Sequence, residues 1–470
     1  MRLLALLAFA QLAPVPPTAR LPLVLARLEL DLRVDYGRGA LDGTATLTVR
    51  NQGGSPVGVI PLLLNRLMRV AAVTDRAGSR IPFAQRVALF VDDSSRQVNA
   101  ITVSPRRALR SGDSLRFQVR YGGILVGYTE TGSLYIQDRV AREFTILRED
   151  AYAFPVLGVL SRQANRLAPR EPFGFAARIS VPAGLVVAMG GSPRERSTHD
   201  SLATWSYQSD NPVPFLNITI APYQVLEGPS TRIFSFPADS AGARQLQASA
   251  AAALDAYARW YGPLPGAPHL VVMEIPEGFG SQASLSAGII QTADAFRNRS
   301  ELRQVYHELS HLWNVPDLDG PSPRWNEGLA TFLQWRMAAL LDGWNGWEAQ
   351  AERTAKSLLQ RCAEPAPCHS IPLNGYGAAG QTDRAYGVGM LLFYALYQAL
   401  GAEHFDSAYR GFVARYHTKG ATTADLAAAF RDASTRAGPI LEDWLTTTRW
   451  YSRLASGESI AQILASYARP

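Results

Sequence analysis

The chain has 470 residues, 47% hydrophobic and 18% charged, which is enough apolar material for two or three domains with cores of their own. Its formal net charge of +6 comes almost wholly from arginine, since Lys356 and Lys419 are the only lysines. The arginines are scattered, with a modest concentration at Arg106, Arg107, Arg110, Arg116 and Arg120 that reads as a solvated sheet face, so a nucleic-acid partner is excluded.

Met1 and Arg2 precede an apolar run over residues 3–10, and small residues and prolines follow to Ala19. A charged start, a short apolar core and Ala8-Phe9-Ala10 predict a secretory signal over residues 1–19, hence export to the periplasm or the exterior. An untrimmed, structureless start is the plain alternative. No other stretch reaches the length of a membrane-spanning helix, so no integral span is predicted.

Residues 20–227 read as a β domain. Leu28, Leu30, Leu32 and Val34 alternate with Glu29, Asp31 and Arg33, as a half-buried strand requires. Residues 44–50 alternate too, and Asn51-Gln52-Gly53-Gly54 turns the chain. Similar runs recur at residues 114–121, 174–181 and 216–220 between Gly, Pro, Asn and Asp, which predicts a large antiparallel sheet or sandwich.

After Gly228-Pro229 the apolar period becomes helical, and residues 228–470 read as a second domain. A helix is predicted over residues 244–260 and a short buried strand over 270–273. Residues 280–290 follow, a run of small polar residues that reads as an edge strand; its backbone would hold a peptide by strand addition.

Tyr306-His307-Glu308-Leu309-Ser310-His311-Leu312 contains H-E-x-x-H. On a helix His307 and His311 share a face one turn apart, a spacing at which two imidazoles hold one Zn²⁺, and Glu308 reaches a water on that ion. Two histidines on a half-buried helix face are the bland reading. The breaker-rich stretch 316–323 ends this helix, and Trp325-Asn326-Glu327-Gly328-Leu329-Ala330 opens the next. Glu327 completes a His₂Glu set there, or is an ordinary first-turn glutamate favoured by the helix dipole.

Cys362 and Cys368 bracket a proline-bearing loop, and a short disulfide suits an exported protein. Two buried free thiols are the alternative. Tyr386, one of 18 tyrosines, opens an apolar helical run and taken alone reads as structural. His199, His269, His369, His404 and His417 lack metal-ligand spacing and read as structural or surface residues.

Taken together, these segments resemble the M1 family of zinc aminopeptidases, within the gluzincin group. His307, Glu308 and His311 match its H-E-x-x-H, and Asn326, Glu327, Gly328 and Ala330 match its N-E-G-(F/L)-A segment. His311-Leu312-Trp313-Asn314 is similar to the H-x-W-(F/N) continuation, and Tyr386-Gly387-Val388-Gly389 to Y-E-K-G. The likeness runs from about residue 25 to 450. It implies an α+β, multidomain fold: an N-terminal antiparallel β-sandwich or saddle, then a thermolysin-like, mainly helical catalytic domain. It also implies one Zn²⁺ per chain on His307, His311 and Glu327, with Glu308 as general base for zinc-activated water. Tyr386 would stabilise the oxyanion, and a peptide substrate would lie along Gln282, Ala283, Ser284 and Leu285.

Three departures stand out. Fifteen residues separate His311 from Glu327 where the family usually has 18. Aligning Gly288-Ile289-Ile290 with the G-L-I that ends G-A-M-E-N-W-G-L-I puts Leu285 where the family's amine-binding glutamate stands; Glu277 is the nearest substitute. The family's large helical C-terminal domain has no counterpart before Pro470, which predicts a more open site. An endopeptidase or other amide hydrolase on the same scaffold, and a non-catalytic peptide-binding protein with a vestigial fold, are the competing readings.

Overall fold

The computed structural model of the chain describes residues 21–468 apart from 169–170, 265–268, 285, 287, 320–324, 363–369, 378 and 380. The expected signal segment, Leu285 and Cys368 therefore lie outside the described residues; Cys362 ends a helix and is disulfide-bonded. The chain divides into two compact units. One holds the residues up to Ala183 together with Ser192–Ile218, and the other holds Gly184–Gly191 and the residues from Thr219 onward.

The first unit is built on a seven-stranded sheet. Its order is Ser192–His199, Leu202–Gln208, Gly174–Pro182, Leu23–Asp35, Ala40–Asn51, Ser114–Ile124 and Met68–Asp75. The alternation in Leu23–Asp35 works as the sequence requires: Leu28, Leu30, Leu32 and Val34 are buried and Asp31 and Arg33 exposed. On the outer face Arg116 reaches Glu29 across the sheet at 2.7 Å. The expected antiparallel pairing needs one correction, because Leu23–Asp35 and Gly174–Pro182 run parallel. The two strands are far apart in sequence, and no hairpin dictates their direction; the second simply fills the free side of the first. A smaller antiparallel sheet of Phe83–Phe90, Asp93–Val103, Ile60–Leu64 and Val156–Leu157 belongs to the same unit.

In the second unit helical periodicity had hidden a strand. Thr231–Ser235, just beyond Gly228-Pro229, pairs antiparallel with Gln224–Glu227 and parallel with Leu270–Ile275. Five residues are too few to show a period, and its partners rather than its pattern set its conformation. The 22-residue helix Ser240–Tyr261 makes the crossover between the two parallel strands. Leu270–Ile275 then pairs parallel with Gly288–Thr292, whose other side carries the short antiparallel strand Gln282–Ser284. All residues of Leu270–Ile275 and Gly288–Thr292 are buried. Helices Leu302–Ser310, Asn326–Asp342, Trp347–Cys362, Thr382–Leu400, Ala402–Tyr416 and Thr423–Ala433 supply one continuous apolar core. At its centre Arg336 sits 3.8 Å above the Trp260 ring and pairs with Asp406 at 2.7 Å, both buried.

Candidate active site

His307 and Glu308 lie near the end of the helix Leu302–Ser310, and His311 opens the 3-10 turn His311–Trp313 that prolongs it. The turn leaves carbonyls without helical partners, and side chains from elsewhere supply them. Tyr409 Oη donates to Trp313 O at 3.1 Å, and His417 Nε2 lies 3.1 Å from Leu312 O. Tyr257 Oη donates to Tyr306 O at 2.9 Å, and Trp313 Nε1 to Gly262 O at 2.8 Å. His417, read from sequence as structural, here helps hold the turn that carries His311.

Glu327 is the second residue of Asn326–Asp342, where the positive end of the helix dipole favours a carboxylate. Asn326 Nδ2 ties this helix start to Val315 O at 3.1 Å. The helix crosses Thr382–Leu400 through a pair of glycines. A Cβ on Gly328 would stand 2.3 Å from Gly389 Cα, so the backbones meet where no side chain fits. Tyr386 lies one turn before that crossing. Its ring is nearly parallel to that of His307, with centroids 6.1 Å apart.

The three predicted ligands converge. His307 Nε2 is 3.2 Å and His311 Nε2 3.5 Å from Glu327 Oε2, and one donor atom from each residue lies within 4.8 Å of the others. Ligand bonds of about 2.0–2.1 Å give a tetrahedral site edges of about 3.3 Å, which the 3.2 and 3.5 Å separations bracket. Two imidazoles and one carboxylate are a donor set that suits zinc. Each imidazole also has a partner on its far nitrogen: Gln334 Oε1 lies 3.1 Å from His307 Nδ1, and Asn314 Nδ2 lies 2.8 Å from His311 Nδ1.

The charges are strongly coupled. Burial pushes the Glu308 carboxyl up, aided by the negative charge of Glu327 and opposed by the two histidines. Burial acts against a charged His311, yet the Glu327 carboxylate outweighs it and raises the imidazole to about 9. Glu327 is itself held well below the usual carboxylate range: burial pushes it up, but hydrogen bonds from both histidines dominate. Burial, then the negative charge of Glu327 and Glu308, raises the Tyr386 phenol far above its ordinary value.

Gln282, Ala283 and Ser284 are half-buried and form the end strand of the sheet, packed against the His307 helix and the His311–Trp313 turn. Glu277 is engaged elsewhere: its Oε1 accepts the Asp294 backbone N–H at 2.6 Å. Sequence reasoning named Asn314 only as part of a motif and missed its contact with His311, Gln334 and the glycine crossing. Asn314, three residues beyond His311, and Gln334, two turns beyond Glu327 on one helix, were within reach of a helical-spacing argument. The glycine pair was not, because no spacing links residues on two separate helices.

No protein-family model matches the chain. In sequence it is similar to Aminopeptidase M1-B of Oryza sativa subsp. japonica, with 25% identity over 304 residues, covering 58% of this chain and 34% of that protein. Aminopeptidase M1-C of the same plant is 26% identical over 200 residues, covering 38% and 22%. The chain thus spans about a third or less of the length of these curated relatives. Among solved structures it is similar to the M1 zinc metallopeptidase of Deinococcus radiodurans, with TM-score 0.60, 21% identity, and 90% of this chain and 93% of that one covered. A mutant of that protein bound to a Tyr-Ser-Ala substrate gives TM-score 0.62 at 21% identity, with 90% and 94% covered. The chain has the α+β, multidomain fold of the M1 zinc metallopeptidases and resembles M1 aminopeptidases in sequence, the kinship that His307, Glu308, His311 and Glu327 predict.

Proposed function

We propose that this chain is a zinc metallopeptidase that hydrolyses peptide bonds, with one zinc ion held by His307, His311 and Glu327. The observation that carries the reading is the convergence of both Nε2 atoms on the Glu327 carboxylate, at 3.2 and 3.5 Å, with Glu308 buried alongside. When bound, zinc supplies Lewis acidity for the substrate carbonyl and the attacking water. Glu308 takes the proton of that water and passes it to the leaving amine. Burial favours its neutral form, which suits a group that must hold a proton between those two events. Tyr386 directs its hydroxyl at the carbonyl oxygen as charge develops there, and its raised pKa keeps the phenol a donor. The peptide backbone runs along Gln282–Ser284 as an added strand.

Glu308→Gln tests this directly. The variant should retain one zinc per chain by elemental analysis while peptide cleavage falls about 10²–10⁴-fold. Cleavage at the unmodified rate would remove Glu308 from the mechanism.

A second reading, cleavage within a chain rather than from its amino terminus, is favoured by the position of Glu277. Its carboxylate caps the Asp294 amide at 2.6 Å, so it is already committed, and Leu285 brings no charge for an ammonium group. Matched peptides with free and acetylated amino termini decide between the two. An aminopeptidase cuts only the free series; equal cleavage of both establishes the endopeptidase.

A further inference from the structure

Both candidate ligand histidines turn their second ring nitrogen toward a primary amide. His307 Nδ1 faces Gln334 Oε1 at 3.1 Å, and His311 Nδ1 faces the Asn314 side chain at 2.8 Å. Their Nε2 atoms face Glu327. An imidazole that ligates a metal through Nε2 is neutral and carries its single hydrogen on Nδ1. That hydrogen needs an acceptor, because a half-buried ring N–H without one forfeits the hydrogen bond it had in water. Gln334 presents its oxygen to His307 as it stands.

The Asn314 amide lies 2.8 Å from His311 Nδ1, and a half-turn about its terminal bond exchanges nitrogen and oxygen there, so it too can offer an acceptor. An amide suits either form of the ring. A carboxylate can only accept, and would also add a negative charge behind the ligand.

We infer that Gln334 and Asn314 are positioning residues that hold His307 and His311 in the Nδ1–H tautomer for metal binding. This rests on the zinc reading above. Because both partners are neutral, Glu327 is the one carboxylate among the named contacts of the two rings. The imidazoles are thereby oriented without offsetting the charge of the ion.

The test is zinc affinity, measured by chelator competition on the purified full chain and its Gln334→Leu, Gln334→Glu, Asn314→Leu and Asn314→Asp variants. The two leucine variants should lose about 10–100-fold in affinity, with the unfolding midpoint of the metal-free protein unchanged. The two acidic variants, which still accept the Nδ1 hydrogen, should bind zinc at least as tightly as the native chain. Leucine variants that bind like the native chain overturn the inference. So does a loss of affinity that the acidic variants fail to restore, since that pattern marks a packing role. A native chain that takes up no stoichiometric zinc instead sinks the zinc reading itself, and this inference with it.

Discussion

At the scale of single residues, the site separates three carboxylate and phenol roles by environment. Glu327 is charged because two imidazoles surround it, and Glu308, beside it, is pushed toward its neutral form by burial. Groups held apart in this way can act as ligand and as proton carrier without exchanging roles. Tyr386 is the sharpest case, because it is the one member of the site whose function the sequence suggested only through family likeness. Its ring stacks over His307, and burial together with the negative charge nearby keeps its phenol protonated. Tyr386→Phe removes the hydroxyl and keeps the ring. It should lower kcat by about 10²–10³-fold with KM little changed. An unchanged kcat would mean that another group meets the oxyanion.

At the scale of elements, a local pattern yields a site only where separate helices are brought together. His307, Glu308 and His311 come from one short helix and its 3-10 extension, Glu327 from a second helix and Tyr386 from a third. The last two helices approach through Gly328 and Gly389, with no room for a Cβ between them. Gly328→Val should force them apart while the surrounding core still folds. A displacement of about 1 Å at Glu327 and Tyr386 should cost about 10²-fold in kcat/KM and weaken zinc binding as well. Wild-type kcat/KM in that variant would show that the crossing does not set the site. Gly328 was legible as part of a motif, but its physical duty was not, since the residue it must clear, Gly389, lies 61 positions away in the chain.

At the scale of the whole molecule, every residue of the candidate site belongs to the second unit. That unit also buries a carboxyl group unrelated to the chemistry. Glu274 is fully buried on Leu270–Ile275; its Oε2 accepts the Phe236 N–H at 2.6 Å, and Asp239, which is paired with Arg297, lies close by. Burial pushes its carboxyl up to about 9 from an ordinary value of 4.5. Folding thus retains a proton that the unfolded chain releases above 4.5. This stabilisation is complete below 4.5 and is lost as pH rises toward 9. Glu274→Gln mimics the protonated group, so the fall in unfolding midpoint between about pH 5.5 and about pH 8.5 should shrink in the variant. An equal fall in both proteins would rule out Glu274 as its source.

What the sequence determined by itself is what short-range periodicity encodes. The alternation of Leu28 to Val34 specified a strand and its buried face, and the spacing of His307 and His311 specified two imidazoles on one face of a helical turn. The tertiary structure alone decided the parallel docking of Gly174–Pro182, the strand Thr231–Ser235 and the amide partners of the histidines. It also decided the glycine contact that brings Glu327 and Tyr386 to the same place. Each of these is set by the free edges and surfaces that remain once distant segments have folded, and a local pattern carries no record of which partner will arrive there.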